Sequence, residues 1–180
     1  MQTIYVITTG GTIEKEYSVQ VCTVVNNLKR IGSYLRLLHL PDTELRLIPL
    51  MNKDSLEMTA DDRAGLVAEI KQLLPERYPI VITHGTDTMV ESGEFIAESF
   101  LDLRIPVILT GAMKPLGFDS TDGMQNLTES LLAARLIDPG VYVVFHSQVI
   151  PIAQARKDKL RGTFVRIESD AKFTEVESKA

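Results

Sequence analysis

The chain has 180 residues, 44% of them hydrophobic, a size and composition that suit one compact domain with a buried core. Its 19 Lys and Arg against 24 Asp and Glu give a formal net charge of -5 with no long run of one sign, so a nucleic-acid partner is not expected. The single cysteine, Cys22, leaves no partner for an intramolecular disulfide and no cysteine cluster for zinc; it reads as a buried small apolar residue. No stretch approaches the roughly 20 apolar residues of a membrane span, and Met1 to Thr9 has neither the basic flank nor the cleavage site of a secretory leader. The expectation is a cytoplasmic protein with no membrane partner.

In chain order, Ile4 to Ile7 forms a first strand-like run rich in β-branched residues. Val21, Val24, Val25, Leu28 and Ile31 then recur at steps of three and four, which predicts an amphipathic helix ending near Gly32. Leu45 to Leu50 reads as a further strand. Thr59 opens a second helix, with Asp61 and Asp62 at the positive end of its dipole and Leu66, Val67, Ile70, Leu73 and Leu74 on its apolar face. Ile80 to Ile82, Val107 to Leu109 and Val141 to Phe145 are unbroken apolar runs, as in strands buried on both faces. Helical segments from about Thr88 to Phe100 and Gly123 to Ile137 separate them. After Ile150 the pattern gives a loop carrying Lys157, Asp158, Lys159 and Arg161, then an alternating strand from Thr163 to Ile167. The repeated order strand, loop, helix predicts an α/β fold: a doubly wound, mostly parallel sheet with helices on both faces in a single domain. That domain is expected to span 1–168, with a polar, frayed tail over 169–180.

Ligands of open α/β sheets bind beyond the carboxyl ends of the strands, so the loops there are the ones to search. The first strand runs into Thr8-Thr9-Gly10-Gly11-Thr12, the Ile80 strand into Thr83-His84-Gly85-Thr86-Asp87-Thr88, and the Val107 strand into Thr110-Gly111-Ala112-Met113-Lys114-Pro115. Each sets glycine beside hydroxyl residues. Glycine lets backbone amides approach a ligand, and such amides can hold a developing oxyanion. One such loop is an ordinary capped turn; three at one edge suggest shared hydroxyl chemistry. Neither glycine pattern of phosphate-binding loops is present. His39, His84 and His146 lack a Gly-x-Ser-x-Gly and read as satisfied structural histidines.

The segments TTGGTI with Thr12, ITHGTDTM with Thr86 and Asp87, and LTGAMKP followed by Asp122-Gly123 resemble the signature stretches of bacterial-type L-asparaginases, from about Thr3 to Phe164. The resemblance implies an L-asparagine amidohydrolase, weak on L-glutamine, that releases L-aspartate and ammonia without metal or organic cofactor. It implies Thr12 as nucleophile, partnered by a tyrosine on the following loop, for which Tyr17 is the candidate. Thr86, Asp87 and Lys157 match a second catalytic group; Asp87 also holds the substrate amino group and Ser55 its carboxylate. Gly11, Gly85 and Ala112 fall where the family lines its pocket with backbone, and the amides of Gly11 and Thr86 would receive the oxyanion. A lysine serves as a base at neutral pH only when desolvated or crowded by positive charge, so Lys157 is expected to be buried beside Thr86.

Two departures from the family stand out. Larger members have a second domain that lends an acidic residue to a neighbouring site, and Leu56 stands where the family carries Gln or Ser. A lost hydrogen bond to a charged ligand costs about 1.5 to 3 kcal/mol, so weaker substrate affinity is expected. The surface left free by the second domain is expected to drive a homodimer or homotetramer. The rival readings are a non-catalytic amino-acid sensor and the ammonia-supplying subunit of an amidotransferase.

Overall fold

The computed structural model describes residues 1–18, 23–26 and 29–167, the side chains of 17–29 excepted. In chain order it has β1 (Gln2–Gly10), β2 (Lys15–Ser18), β3 (Thr23–Asn26), α1 (Lys29–Leu35), β4 (Thr43–Lys53), α2 (Ala60–Leu73) and β5 (Ile80–Thr83). There follow α3 (Met89–Ser99), β6 (Pro106–Thr110), α4 (Gly123–Ala133), β7 (Gly140–Phe145), β8 (Gln148–Pro151), β9 (Ala155–Asp158) and β10 (Thr163–Arg166). Six strands form the central sheet in the order β4-β1-β5-β6-β7-β8. The first five run parallel and β8 returns antiparallel against β7. β2 pairs β3, and β9 pairs β10, as two separate antiparallel ribbons.

The two faces carry separate cores, as an alternating side-chain period demands of a sheet covered twice. Ile7, Ile82, Leu109 and Phe145 pack with Leu66 and Ile70 of α2 and Met89 and Ile96 of α3. Ile4, Val6, Val81, Ile108 and Val144 pack with Ile31 and Leu35 of α1 and Leu127 and Leu131 of α4. The chain leaves β1 for β4 on one side and returns to β5 on the other. The strand order therefore reverses between β1 and β5, the position where doubly wound sheets open a crevice for ligand.

α2 starts where the sequence puts it. The Thr59 hydroxyl accepts from the Asp62 amide at 3.3 Å while the Asp62 carboxylate accepts from the Thr59 amide at 2.8 Å, a reciprocal cap. The expected helix from Val21 to Gly32 is corrected. Val24 and Val25 lie in β3, α1 begins only at Lys29, and it runs through Gly32 to Leu35. The β-branched residues Thr23, Val24 and Val25 favour extended backbone, and pairing with β2 prevails over their helical spacing. Val21, Cys22, Leu28 and the tail 169–180 lie outside the described residues. The expected loop around Lys157 is also corrected: Ala155–Asp158 is strand β9.

Candidate active site

Three turns meet at the carboxyl edge of β1, β4 and β5. Gly11 has φ +85, a conformation that side chains rarely adopt, and a Cβ there would stand 2.6 Å from the Cα and the amide nitrogen of Gly85. A Cβ on Gly85 would in turn stand 2.5 Å from Ser55 Oγ and 2.6 Å from Ser55 Cβ. The backbones of Gly11 and Gly85 and the Ser55 side chain therefore stack with no room for a further carbon. Thr12 and Thr86 directly follow these two glycines in the chain.

Ser55 opens a single 3-10 turn, Ser55–Glu57, whose cap Asp54 accepts from the Leu56 amide at 3.2 Å. Ser55 is fully buried, its carbonyl accepts from the Thr88 hydroxyl at 2.8 Å, and its own Oγ has no hydrogen-bond partner among the described residues. A buried hydroxyl without a partner costs free energy unless a ligand completes it. Leu56 beside it is 72% exposed.

Lys157 approaches from β9. Its Nζ donates to Thr86 Oγ1 at 2.7 Å and to Asp87 Oδ1 at 2.9 Å, with the side chain 16% exposed. Thr86 is buried and Asp87 half-exposed. The β9–β10 ribbon places this lysine by an aromatic anchor. Phe164, directly across from Lys157 in the ribbon, is fully buried and meets Phe145 at the end of β7 edge-on at 5.0 Å.

The third loop closes the group from the β6 side. A Cβ on Gly111 would lie 2.4 Å from the His84 carbonyl and 3.5 Å from Thr86 Cγ2, so Gly111 rather than Ala112 abuts Thr86. Ala112 is fully buried in the core against Gly123. Asp122 holds the loop by accepting from the Met113 and Lys114 amides, each at 2.9 Å, and His146 bridges Asp122 at 3.0 Å to Thr163 at 2.9 Å.

Residues 3–166 match the family model described as Asparaginase, N-terminal. The chain belongs to the asparaginase family. It is 35% identical over 138 residues to L-asparaginase 1 of Escherichia coli K12, covering 74% of this chain and 40% of that protein. The structure of the thermostable L-asparaginase from Thermococcus kodakarensis superposes with a TM-score of 0.83 at 25% identity, covering 92% of this chain and 51% of the other. A structure described as a probable cytoplasmic L-asparaginase from Campylobacter jejuni gives a TM-score of 0.76 at 26% identity, with coverage of 92% and 53%. The chain thus spans about half the length of the relatives it matches.

Of the residues singled out in the sequence, Gly11, Ser55, Gly85, Thr86, Asp87 and Lys157 come together, with Thr12 next to Gly11. The Tyr17 backbone pairs with Val24 in the β2–β3 ribbon, and its side chain lies outside the described residues. One ionisable group, Glu14, was not singled out in the sequence, and a second, His84, read there as a satisfied structural histidine. Glu14 opens the charged run Glu14-Lys15-Glu16, yet it is fully buried, and burial pushes its carboxyl up to about 7 against the opposing pull of the Gly10 amide, Thr83 and Thr8. His84 is fully buried too, and desolvation draws its imidazole down to about 4. Its Nδ1 donates to the Gly85 carbonyl at 2.7 Å, whereas its Nε2 has no partner among the described residues, so it is only half satisfied. A hollow lined by Leu35, Leu38, Leu40, Leu45 and Leu47 between α1 and β4 contains none of the candidate residues. No helix among the described residues is long and apolar enough to cross a membrane.

Proposed function

We propose that this chain hydrolyses the side-chain amide of L-asparagine to L-aspartate and ammonia, with weaker action on L-glutamine. The observation that carries the reading is the Lys157 ammonium shared between Thr86 and Asp87, beside the stacked turns of Gly11 and Gly85. In this reading Thr12 Oγ1 attacks the amide carbon and passes its proton on, with Tyr17 as the candidate acceptor. The amides of Gly11 and Thr86 receive the oxyanion. Ammonia leaves with an added proton, and water returns the acyl group from Thr12 as a free carboxylate, restoring the hydroxyl. Asp87 takes the substrate ammonium. Thr86 and Lys157, joined by their hydrogen bond, move protons to and from the attacking water. The partnerless Ser55 Oγ is the donor for the substrate carboxylate, and Ala112 contributes backbone alone. No metal or cofactor enters these steps.

The compartment proposed is the cytoplasm, with residues 1–168 as the working domain. A homodimer or homotetramer is proposed because Leu132, Leu136 and Val149 stand exposed around the end of α4 and the sheet edge at β8; sedimentation velocity giving a monomer at micromolar concentration removes that part.

The test is ammonia release from both amides by the wild type, Thr12→Val and Thr86→Val. Each variant is expected to lose about a thousandfold or more in kcat. Equal activity in all three overturns the assignment, and aspartate binding without ammonia release selects a sensor instead. Leu56→Gln should lower KM for asparagine by about tenfold or more, in line with one added bond to a charged ligand.

A further inference from the structure

The proposed reaction leaves Glu14 without a task, although its burial is costly. Its neighbours in the charged run have solvent-side partners: Lys15 meets Asp54 at 3.0 Å and Glu16 meets Arg30 at 3.9 Å. Glu14 points inward, and no cation among the described residues lies within ion-pair distance of it. A buried carboxylate in that position is strongly disfavoured unless it is bonded or holds a proton.

Its surroundings join the two turns of the site. Glu14 Oε1 accepts from the Thr83 hydroxyl at 3.3 Å, and the Gly10 amide also favours its charge. Gly10 begins the turn that carries Gly11 and Thr12, while Thr83 ends the strand that leads to Gly85 and Thr86. Thr8 and Thr83 face each other across the β1–β5 register. The Thr8 hydroxyl lies against the same carboxyl, and neither it nor Glu14 Oε2 has a hydrogen-bond partner among the described residues. Thr8 can complete Oε2 in either state, donating to the carboxylate or accepting from the protonated acid. Ile13, next to Glu14, packs where α4 begins: a Cβ on Gly123 would stand 3.1 Å from Ile13 Cγ1.

We propose that Glu14 is a positioning residue for the hydrolysis: its carboxyl bridges β1 and β5 at their carboxyl edge and so fixes the spacing of the Thr12 and Thr86 turns, and a change in its charge shifts that spacing. This deepens the asparaginase reading and rests on it. With burial pushing the carboxyl up to about 7, both forms occur under ordinary conditions. The groups packed against it are Thr8 and Gly10 from β1 and Thr83 from β5. Charged groups on the elements around it are engaged with one another: Lys15 with Asp54, Arg30 of α1 with Glu16, and Asp122 at the start of α4 with His146.

The experiment titrates the wild-type protein, with its glutamates carbon-labelled, from pH 5 to 9 by NMR and follows the amides of Gly11, Thr12, Gly85 and Thr86. The Glu14 carboxyl should titrate near 7, with all four amides moving at the same midpoint. Glu14→Gln should abolish that movement and flatten the kcat profile across the range, whereas Glu14→Ala should lower kcat tenfold or more with KM within threefold. Amides that do not follow Glu14, or a Glu14→Gln profile that overlays the wild type, overturn the proposal. If Thr12→Val and Thr86→Val release ammonia like the wild type, the functional reading falls instead, and the amide titration still decides whether Glu14 governs the two turns.

Discussion

The turn of Gly11 and Thr12 rests on a buried carboxyl, Glu14, on the side of α1 and α4, while the turn of Gly85 and Thr86 rests on a buried imidazole, His84, on the side of α2. Both are fully enclosed, yet burial moves them in opposite directions. It raises the acid towards neutrality and depresses the base well below it, because each is driven to its uncharged form. One edge of the sheet thus carries two ionisable groups biased by burial towards their uncharged forms, under two loops that are proposed to act together. Their linked effects on stability therefore have opposite signs over much the same acidic range, from about 4 to about 7.

Removing the close approach of the two turns should have the largest effect on this pairing. Gly85→Ala forces a carbon to within 2.5 Å of Ser55 Oγ, and asparagine turnover should fall by about a hundredfold or more, as for a small misplacement of reacting groups. Unchanged kinetics in a folded Gly85→Ala variant would separate the turns that the comparison joins.

Glu14→Gln comes next. The folded-state value of about 7 lies above the ordinary value of 4.5, so the contribution of this group is fully present below the lower value and lost as pH rises through the upper. By about 1.36 kcal/mol per unit, the buried charge costs on the order of 3 kcal/mol at pH 8.5, and the variant should gain about that much over the wild type there and much less at pH 5. Urea denaturation at both pH values measures it; an equal difference at each would remove the linkage.

His84→Gln should slope the other way. The folded value of about 4 lies below 6.5, so the neutral imidazole contributes stability above the upper value that is lost as pH falls through the lower. The wild type should lose up to about 3 kcal/mol relative to the variant between pH 7 and pH 4. Parallel denaturation curves across that range would show His84 to be better solvated than its burial indicates. The smallest effect is a control away from both groups: Thr59→Ala removes the cap of α2 and should cost about 1 kcal/mol, read as a lower denaturation midpoint, with the same value at pH 5 and pH 8.5.

The legible parts of the sequence were those in which local pattern and tertiary demand agree. Val107 to Leu109 and Val141 to Phe145 are strands because unbroken β-branched runs suit a sheet covered on both faces. Thr59 opens α2 because its hydroxyl and the Asp62 carboxylate are within one turn of each other. Where the two levels compete, spacing misled: Val24 and Val25 fit a helical period, but strand pairing with Glu16 and Tyr17 prevails. Lys157 sits in a charged run that reads as solvated loop, and only the burial of Phe164 across the ribbon turns it inward. Glu14 was missed for the same reason, since nothing in Glu14-Lys15-Glu16 distinguishes the residue that folds beneath the sheet edge.

The sequence by itself determined the alternation of strands and helices, the glycine and threonine turns at one edge of the sheet, and the family to which those turns belong, because these depend on neighbours a few positions apart. The tertiary structure decided which charges are buried and which side chains meet. Glu14 beneath β1 and β5, Ser55 against Gly85 and Lys157 on Thr86 join segments distant in the chain. The reversal of strand order between β1 and β5 brings those segments to one crevice, a property of how strands are arranged across the sheet and not of any local stretch of residues.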